Sequence, residues 1–467
     1  MRAFPLSLTT GTVSALLLAL TACAHFERQP LLPDRIAENY SGRSLTDEGL
    51  RSFLQTHAPE LAQPWPRASW DLPALTLVAF FFQPDLEVAR AQWQTAKATI
   101  ETASMRPNPA ITLTPGYNFN ARSGTSPWLP GISVDIPVET SGKRRIRIGK
   151  AEHLAESARL NIIGAAWRVR GALRTALIDF TAAQRRMSLL RDQLAIQQRV
   201  VELLQQRVTL GAASAAELSP ARLALTRVQL DAAGNEVRLA DAANKLARSL
   251  GAPVQAVDSL PLDFSLDTIP AVDVAQARRL ALQYRADIAA GLAEYAASEA
   301  DLQAEIAKQY PDLHLGPAYE WDQGESKWSL AVGFEVPLNR NRGAIAEARA
   351  RREESAARFR ALEAGVIADV DQASVAYMAS STQMKRIREV HAALEDEASR
   401  QRARLSAGDI DQLEYQSARL EAALSGIALL DSEAQAAQAA GMLEDELQRP
   451  ITALDALDAS ARGQPSR

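Results

Sequence analysis

PDLHLGPAYEWDQGESKWSLAVGFEV, residues 311–336, is the stretch that decides the fold. Leu313, Leu315, Pro317, Tyr319 and Trp321 alternate with Asp312, His314, Gly316, Ala318 and Glu320. After a turn at Asp322–Ser326, Trp328, Leu330, Val332, Phe334 and Val336 alternate with Ser329, Ala331, Gly333 and Glu335. A period of two puts one set on each face of a sheet, so this is a hairpin with one apolar face. Its strands, over 312–321 and 327–337, match the ~9–11 residues needed to cross a bilayer on a tilt.

The same pattern stands earlier as PAITLTPGYNFNARSGTSPWLPGISVDIPV, residues 109–138, with strands expected over 110–120 and 128–138. Asp85-Leu86, Pro109 and Tyr117 reappear 202 residues later as Asp287-Ile288, Pro311 and Tyr319. Gly211, Glu217 and Ala221-Arg222-Leu223 reappear 197 later as Gly408, Glu414 and Ala418-Arg419-Leu420. A duplicated unit of this length is an architecture. Each copy reads helix, hairpin, very long helix, tip, helix. The units are 84–249 and 285–449, with 23–83, 250–284 and 450–467 expected to pack around the middle as a belt.

Tyr117, Phe119, Trp128, Tyr319, Trp321 and Trp328 gather at the turn ends of the strands, as in the aromatic belt of a membrane interface. Pro115 and Pro317 interrupt strands on the apolar face, where a bulge or kink is expected. Four strands leave two open edges, which lipid does not tolerate. Closed barrels start at about 8 strands, so either two chains or three could close one.

No proline occurs from Ser141 to Leu210 or from Gly343 to Arg449. Leu173, Leu177, Phe180, Met187, Leu190, Leu194, Val201, Leu204 and Val208 step by threes, fours and sevens, and Phe359, Leu362, Val366 and Val370 continue the seam in copy two. The expected long helices, 142–209 and 343–406, are about 100 Å long at ~1.5 Å per residue. The shorter ones, 84–106 with 215–249 and 285–309 with 411–448, add up to similar lengths when stacked. Four helical columns per chain favour three chains: twelve columns under twelve strands.

The start of the chain is read separately. Arg2, an apolar stretch to Leu20 and Leu20-Thr21-Ala22-Cys23 have the layout of an export signal over residues 1–22. They resemble a bacterial lipoprotein signal, which implies lipidation at Cys23; Ala24 implies outer-membrane sorting. Cys23 is the only cysteine among 467 residues, so no internal disulfide can form. The balance of 51 basic to 56 acidic residues has no basic run suited to nucleic acid. Leu72 to Phe82 is too short to span a membrane and reads as a buried helix.

The inward strand set offers Asp135, Asp312, His314, Glu320 and Glu335, an acidic lining suited to cations. His314 has no His or Cys neighbour at ligand spacing, so no metal site is expected. No cofactor loop or catalytic constellation is present, which argues against an enzyme. Lys143, Arg144, Arg340 and Arg342, where strands meet long helices, are placed to hold lipid phosphates. Gly211 and Gly408 suit left-handed helix stops at the tips.

Glu139-Thr140-Ser141-Gly142-Lys143-Arg144, Tyr319-Glu320-Trp321-Asp322-Gln323-Gly324, Asn339-Arg340-Asn341-Arg342-Gly343 and the two glycine tips resemble the TolC family of trimeric outer-membrane efflux channels, across the mature length. Within it they are most similar to the CzcC and CusC type that serves heavy-metal resistance pumps. The resemblance implies a mainly α fold with a small β part: a homotrimer whose 12-stranded outer-membrane β-barrel continues into a periplasmic α-helical barrel. It implies a passive, lipid-anchored conduit, partnered by a periplasmic adaptor (membrane fusion protein) and an inner-membrane RND-type transporter driven by the proton gradient. It places acidic residues after the second tip at a periplasmic constriction. Glu414 matches the first such position and Ser417 stands at the second; Asp409 and Asp411 are possible substitutes, and Glu217 is the first copy's counterpart of Glu414. A periplasmic adaptor or scaffold with helical hairpins, and a type I protein secretion channel, are the alternatives.

Overall fold

The computed structural model describes residues 25–258, 260–266 and 274–451. Cys23, the export signal and the tail from 452 lie outside the described residues. Contacts divide the chain into two compact units, one ending at Arg43 and one beginning at Ser44. In the first, α1 (Pro33–Ser41) starts on a proline at its first turn and buries no residue.

The second unit opens with α2 (Glu48–His57), capped by Asp47, whose carboxylate accepts the Gly49 and Leu50 N–H groups. Then come α3 (Leu72–Phe82) and α4 (Pro84–Ser104). No described helix is long and apolar enough to cross a membrane alone; α3 and α4 pass such a test only as a pair bent by 56°. As the sequence suggested, α3 is a core helix: Ala74, Leu75, Val78 and Ala79 are fully buried. They pack with Leu50 and Leu54 of α2, with Leu173 and Leu177, and with Leu246 and Leu250. Trp70 ties in a further segment by donating its N–H to Pro261 O at 2.8 Å and accepting from Asp263 N at 2.9 Å.

The first hairpin, β1 (Ala110–Tyr117) and β2 (Trp128–Val138), leads into α5 (Lys143–Thr209) and α6 (Ala215–Leu250). α7 (Val274–Tyr284) then leads into the second copy: α8 (Ala286–Ala307), β3 (Leu313–Asp322), β4 (Glu325–Phe334), α9 (Arg342–Ala407) and α10 (Gln412–Leu447). The 67 residues of α5 and 66 of α9 make each about 100 Å long. Helix α5 packs against α4, α6, α8 and α10, while α9 packs against α8 and α10. The helices therefore form one curtain in the order α4/α6, α5, α8/α10, α9: four columns, two of them built from paired shorter helices.

The 197-residue offset holds through the long helices. Val169, Leu173, Ala176 and Met187 are buried on α5, and their counterparts Val366, Val370, Ala373 and Met384 are buried on α9. The heptad-like seam thus faces the same way in both copies.

The sheet is antiparallel in the order β1-β2-β3-β4. No bulge accompanies either internal proline: the registers of β1 with β2 and of β3 with β4 run unbroken. Pro115 instead lies on the edge strand, where one side needs no donor. Beside Pro317 the β2–β3 pairing skips Val134 and Asp135, the local absence of ladder bonds that a missing N–H produces. Strand ends also differ from expectation. β1 stops at Tyr117, because Asn118 Oδ1 accepts the Asn120 N–H and turns the chain before Phe119. Asp312 precedes β3 and Glu335 follows β4, so neither is a strand residue.

Candidate functional site: sheet faces, junctions and helix tips

Register sorts the sheet by polarity. Leu113, Ile132, Tyr319 and Trp328 form one cross-strand row; Ile136, Leu315 and Val332 a second; Val138, Leu313 and Phe334 a third; all lie on the same face. Tyr117 stacks edge-on with Phe119 and Trp128 at 5.0 and 5.1 Å between ring centroids, and Tyr319 meets Trp328 at 4.8 Å. The belt is therefore a set of ring pairs at the turn end, with Trp321 beside it opposite Ser326. The second turn tightens to Gln323-Gly324, both at positive φ (49° and 107°), the twist a two-residue hairpin requires.

The opposite face carries Thr112, Ser133, Ala318 and Ser329 in one row and Thr114, Gly131, Glu320 and Lys327 in the next. Nearer the helices, His314 Nδ1 lies 3.0 Å from Asp135 Oδ2. Of the five residues expected to line this face, Asp135, His314 and Glu320 do so. Asp312 is withdrawn to the strand foot, and Glu335 lies past the strand end.

At the first strand–helix junction, Asp312 Oδ1 accepts both Lys143 Nζ and Thr140 N at 2.8 Å, and Lys143 also reaches Tyr310 O. Arg144 Nε donates to Ser104 O at 2.6 Å. Arg147 donates to Ala103 O and Met105 O and pairs with Glu139 at 2.5 Å. Lys143 and Arg144, expected at lipid phosphates, are thus engaged by protein. The last carbonyls of α4 have no partners within their helix, and Arg144 and Arg147 supply them. The second junction has no such clasp. Asn341 donates to Glu305 O at 2.8 Å, while Arg340 and Arg342 stay exposed. Ser141-Gly142 and Arg340-Asn341 turn the chain into the long helices in left-handed conformation.

The tips follow the glycine reading. Gly211 and Gly408 adopt φ of 72° and 82°, and the N–H groups of Ala212 and Asp409 return to Arg207 O and Arg404 O. α6 starts at Ala215, capped reciprocally: Ser214 Oγ accepts Glu217 N, and Glu217 Oε1 accepts Ser214 N at 3.0 Å. The hydrogen bond from the Ser214 backbone holds the Glu217 carboxyl below its ordinary range. Asp411 caps α10 by accepting Leu413 N and Glu414 N, and it pairs with Arg207 at 2.5 Å. The Glu414 backbone bond, then Arg207, hold its carboxyl low as well. Glu217 and Asp411 are therefore helix caps. Glu414 stands 3.9 Å from Arg404, and Asp409 is exposed.

One charged cluster escaped the sequence reading. Arg174, 6 % exposed, reaches Glu444 at 2.6 Å, Asp445 at 2.6 Å and Gly441 O at 2.5 Å, and Arg170 joins Glu444 at 2.8 Å. Gly171 and Gly441 permit this approach: an added Cβ would stand 2.5 Å from Asp445 and 2.4 Å from Arg174. A glycine on each facing helix beside an arginine in the seam is the signal that could have found it. No group of three or more His, Cys, Asp or Glu suited to a metal occurs among the described residues.

Residues 82–252 and 277–445, well over half of the chain, match the outer membrane efflux protein family. The chain belongs to that family. It is similar to the cobalt-zinc-cadmium resistance protein CzcC of Cupriavidus metallidurans, with 25% identity over 264 residues; the match covers 56% of this chain and 61% of CzcC, so it spans about three-fifths of that relative. Among solved structures, VceC of Vibrio cholerae superposes with a TM-score of 0.66 at 19% identity, covering 81% of this chain and 96% of VceC. CusC gives 0.65 at 17%, covering 82% and 95%. These structures establish the TolC-like fold that the hairpins, junctions and tips suggested.

Proposed function

We propose that this family member is the outer-membrane conduit of a tripartite efflux system, a homotrimer that conducts solute passively from a periplasmic adaptor and an inner-membrane RND-type transporter to the outside. The observation that carries the reading is a mismatch between two equivalent helix faces. On α5, Ile178 is 1 % exposed against Leu430 of α10; 197 residues on, Val375 of α9 is 62 % exposed. Thr181 and Gln193 are buried where Met378 and Val390 are exposed. The complementary face is equally bare: Leu223, Leu230 and Val237 of α6 are exposed, while their α10 counterparts Leu420, Ile427 and Ala434 are half-buried.

A second copy seating its α6 on α9, as α10 seats on α5, covers both faces and pairs the open edges β1 and β4. Three copies give a 12-stranded barrel with the apolar face to lipid and a bore between the polar faces. Mass measurement of the detergent-extracted protein tests this: a trimer is expected, and a monomer in mild detergent rejects it.

Lipidation at Cys23, phosphate holding by Arg340 and Arg342, and an acidic periplasmic constriction at Asp409 and Glu414 belong to the same reading. For cargo, the acidic polar face and the similarity to CzcC favour metal cations. Deleting the protein is expected to raise sensitivity to a divalent metal. Unchanged metal tolerance with new sensitivity to bulky drugs rejects the cargo assignment and leaves the channel.

A further inference from the structure

We propose that the Asp135–His314 pair sets the ion selectivity of the bore and makes it depend on pH; this rests on the channel reading above. The pair sits on the polar face at the helix end of the sheet, with His314 Nδ1 3.0 and 3.1 Å from the two Asp135 oxygens. Its surroundings on that face are uncharged. Ala110 is opposite Asp135, Pro137 and Gly333 flank His314, Gly316 and Ala331 lie one row up, and Thr112, Ser133, Ala318 and Ser329 fill the row beyond.

Glu335, two residues beyond the Gly333 that flanks His314, stands exposed past the end of β4; the other charges are paired or opposed. Asp312 at the foot of β3 is bound to Lys143 of α5, and Lys327 of β4 is bound to Asp322. Glu320 stands opposite Lys327, and Glu325 lies opposite Asp322 at the far turn. Within the strands, Asp135 and His314 are therefore the titratable groups at this level of the bore.

Imidazole is the side chain that ordinarily changes charge between pH 5 and 8. With the imidazole neutral, Nδ1–H donates to Asp135 and the pair carries the carboxylate's negative charge. Protonation at Nε2 leaves that hydrogen bond in place and makes the pair neutral. No rearrangement is needed; only the charge of the ring formed by three copies changes. A ring of carboxylates in a confined bore concentrates cations and repels anions, and a neutral ring does neither.

The test is the cation-to-chloride permeability ratio of the purified mature protein in planar bilayers under a potassium chloride gradient, at about pH 8 and about pH 5. The wild-type ratio is expected to fall roughly three- to tenfold on acidification. His314→Gln should hold the alkaline ratio at both values. Asp135→Asn should lose cation preference at the alkaline value and favour chloride at the acid one. Wild-type acid sensitivity in His314→Gln, or an unchanged alkaline ratio in Asp135→Asn, overturns the proposal, and each variant decides independently if the other does not assemble. A wild-type pore whose selectivity ignores pH removes this proposal and leaves the channel standing, whereas a protein that forms no pore removes both.

Discussion

The two copies close the same joint with different chemistry. Where α6 ends against the start of α4, Gln83 Nε2 donates to Arg248 O at 2.6 Å and to Ser249 O at 2.7 Å, and Gly251 turns the chain at φ 73°. At the equivalent joint of α10 and α8, Arg285 Nη1 donates to Glu446 O at 2.6 Å, and Gln448 makes the left-handed turn at φ 48°. Both copies place a side-chain donor at orphan carbonyls of the helix end, two in the first and one in the second. The neighbours decide its nature. The first joint lies against α3, whose buried residues are nearly all apolar, so a neutral amide suffices. The second lies where α5 brings Arg170 and Arg174, and there Arg285 forms a bidentate pair with Asp287 while also holding Glu446. Duplication preserved the backbone and let the charges diverge.

The sharpest way to break this contrast uses Arg174 and Asp371, which occupy equivalent positions 197 apart. Arg174 is buried between two carboxylates; Asp371 is half-buried, with its side chain 42 % exposed, and pairs with Arg278. Arg174→Ala strips Asp445 of its bound cation, leaves Glu444 to Arg170 alone, and should cost about 3–5 kcal/mol. Asp371→Ala should cost under about 1 kcal/mol. Thermal unfolding of the two variants measures both, and equal losses would remove the distinction between the copies.

The next effect concerns the turn itself. A Cβ on Gly251 would meet Phe82 O at 2.8 Å, a backbone atom with no freedom to yield. Gly251→Val should destabilise by about 2–5 kcal/mol, from left-handed strain plus overpacking. Gln448→Gly relieves strain but removes the acceptor of the Ala286 N–H, bound at 2.9 Å, so its net change should stay within about 1 kcal/mol. The same melting curves decide it.

Acid separates the joints in a third way. Burial pushes the Asp287 carboxyl up, but its two bonds to Arg285 prevail and hold it below its ordinary value. A depressed folded-state value gives stability that is present above the unfolded carboxyl range, near pH 4, and is lost as pH falls through the folded value. Burial raises Asp445, and Arg174 only partly offsets it. Its ionisation therefore opposes folding as pH rises past the unfolded range. Asp287→Asn should blunt the acid loss of stability, and Asp445→Asn should raise stability at neutral pH. The first joint, closed by Gln83 and Gly251, contributes no such slope. Unfolding midpoints from pH 7 to 3 test the signs, and an acid response that survives Asp287→Asn unchanged rejects the assignment.

How much of this was legible follows from range. Strand faces, the Gln323-Gly324 turn, the glycine tips and the long seam are encoded within a few residues by period and by positive-φ residues, and they could be read locally. The charges could not. Lys143 finds Asp312 169 residues away, and Arg174 finds Glu444 270 residues away. In a linear chain such residues look like solvated or lipid-facing cations, because nothing nearby names the carbonyl or carboxylate they meet. The capping roles of Glu217 and Asp411 were hidden for the converse reason. An acidic residue near a helix start shows its capping bond only in the backbone geometry.

The tips offer the smallest effect and the finest comparison. The first is closed within its own turn by Ser214 and Glu217, the second by Asp411 with Arg207 reaching from α5. Ser214→Ala removes an N-cap and should cost about 1 kcal/mol. Arg207→Ala breaks an ion pair whose side chains are 39 % and 54 % exposed, leaves the Asp411 cap intact, and should cost about 0.5 kcal/mol or less. Amide hydrogen exchange at the two tips distinguishes them: Ser214→Ala should speed exchange at the start of α6 alone. Faster exchange at the start of α10 in Arg207→Ala would mean that the link from α5, rather than the local cap, holds the second tip.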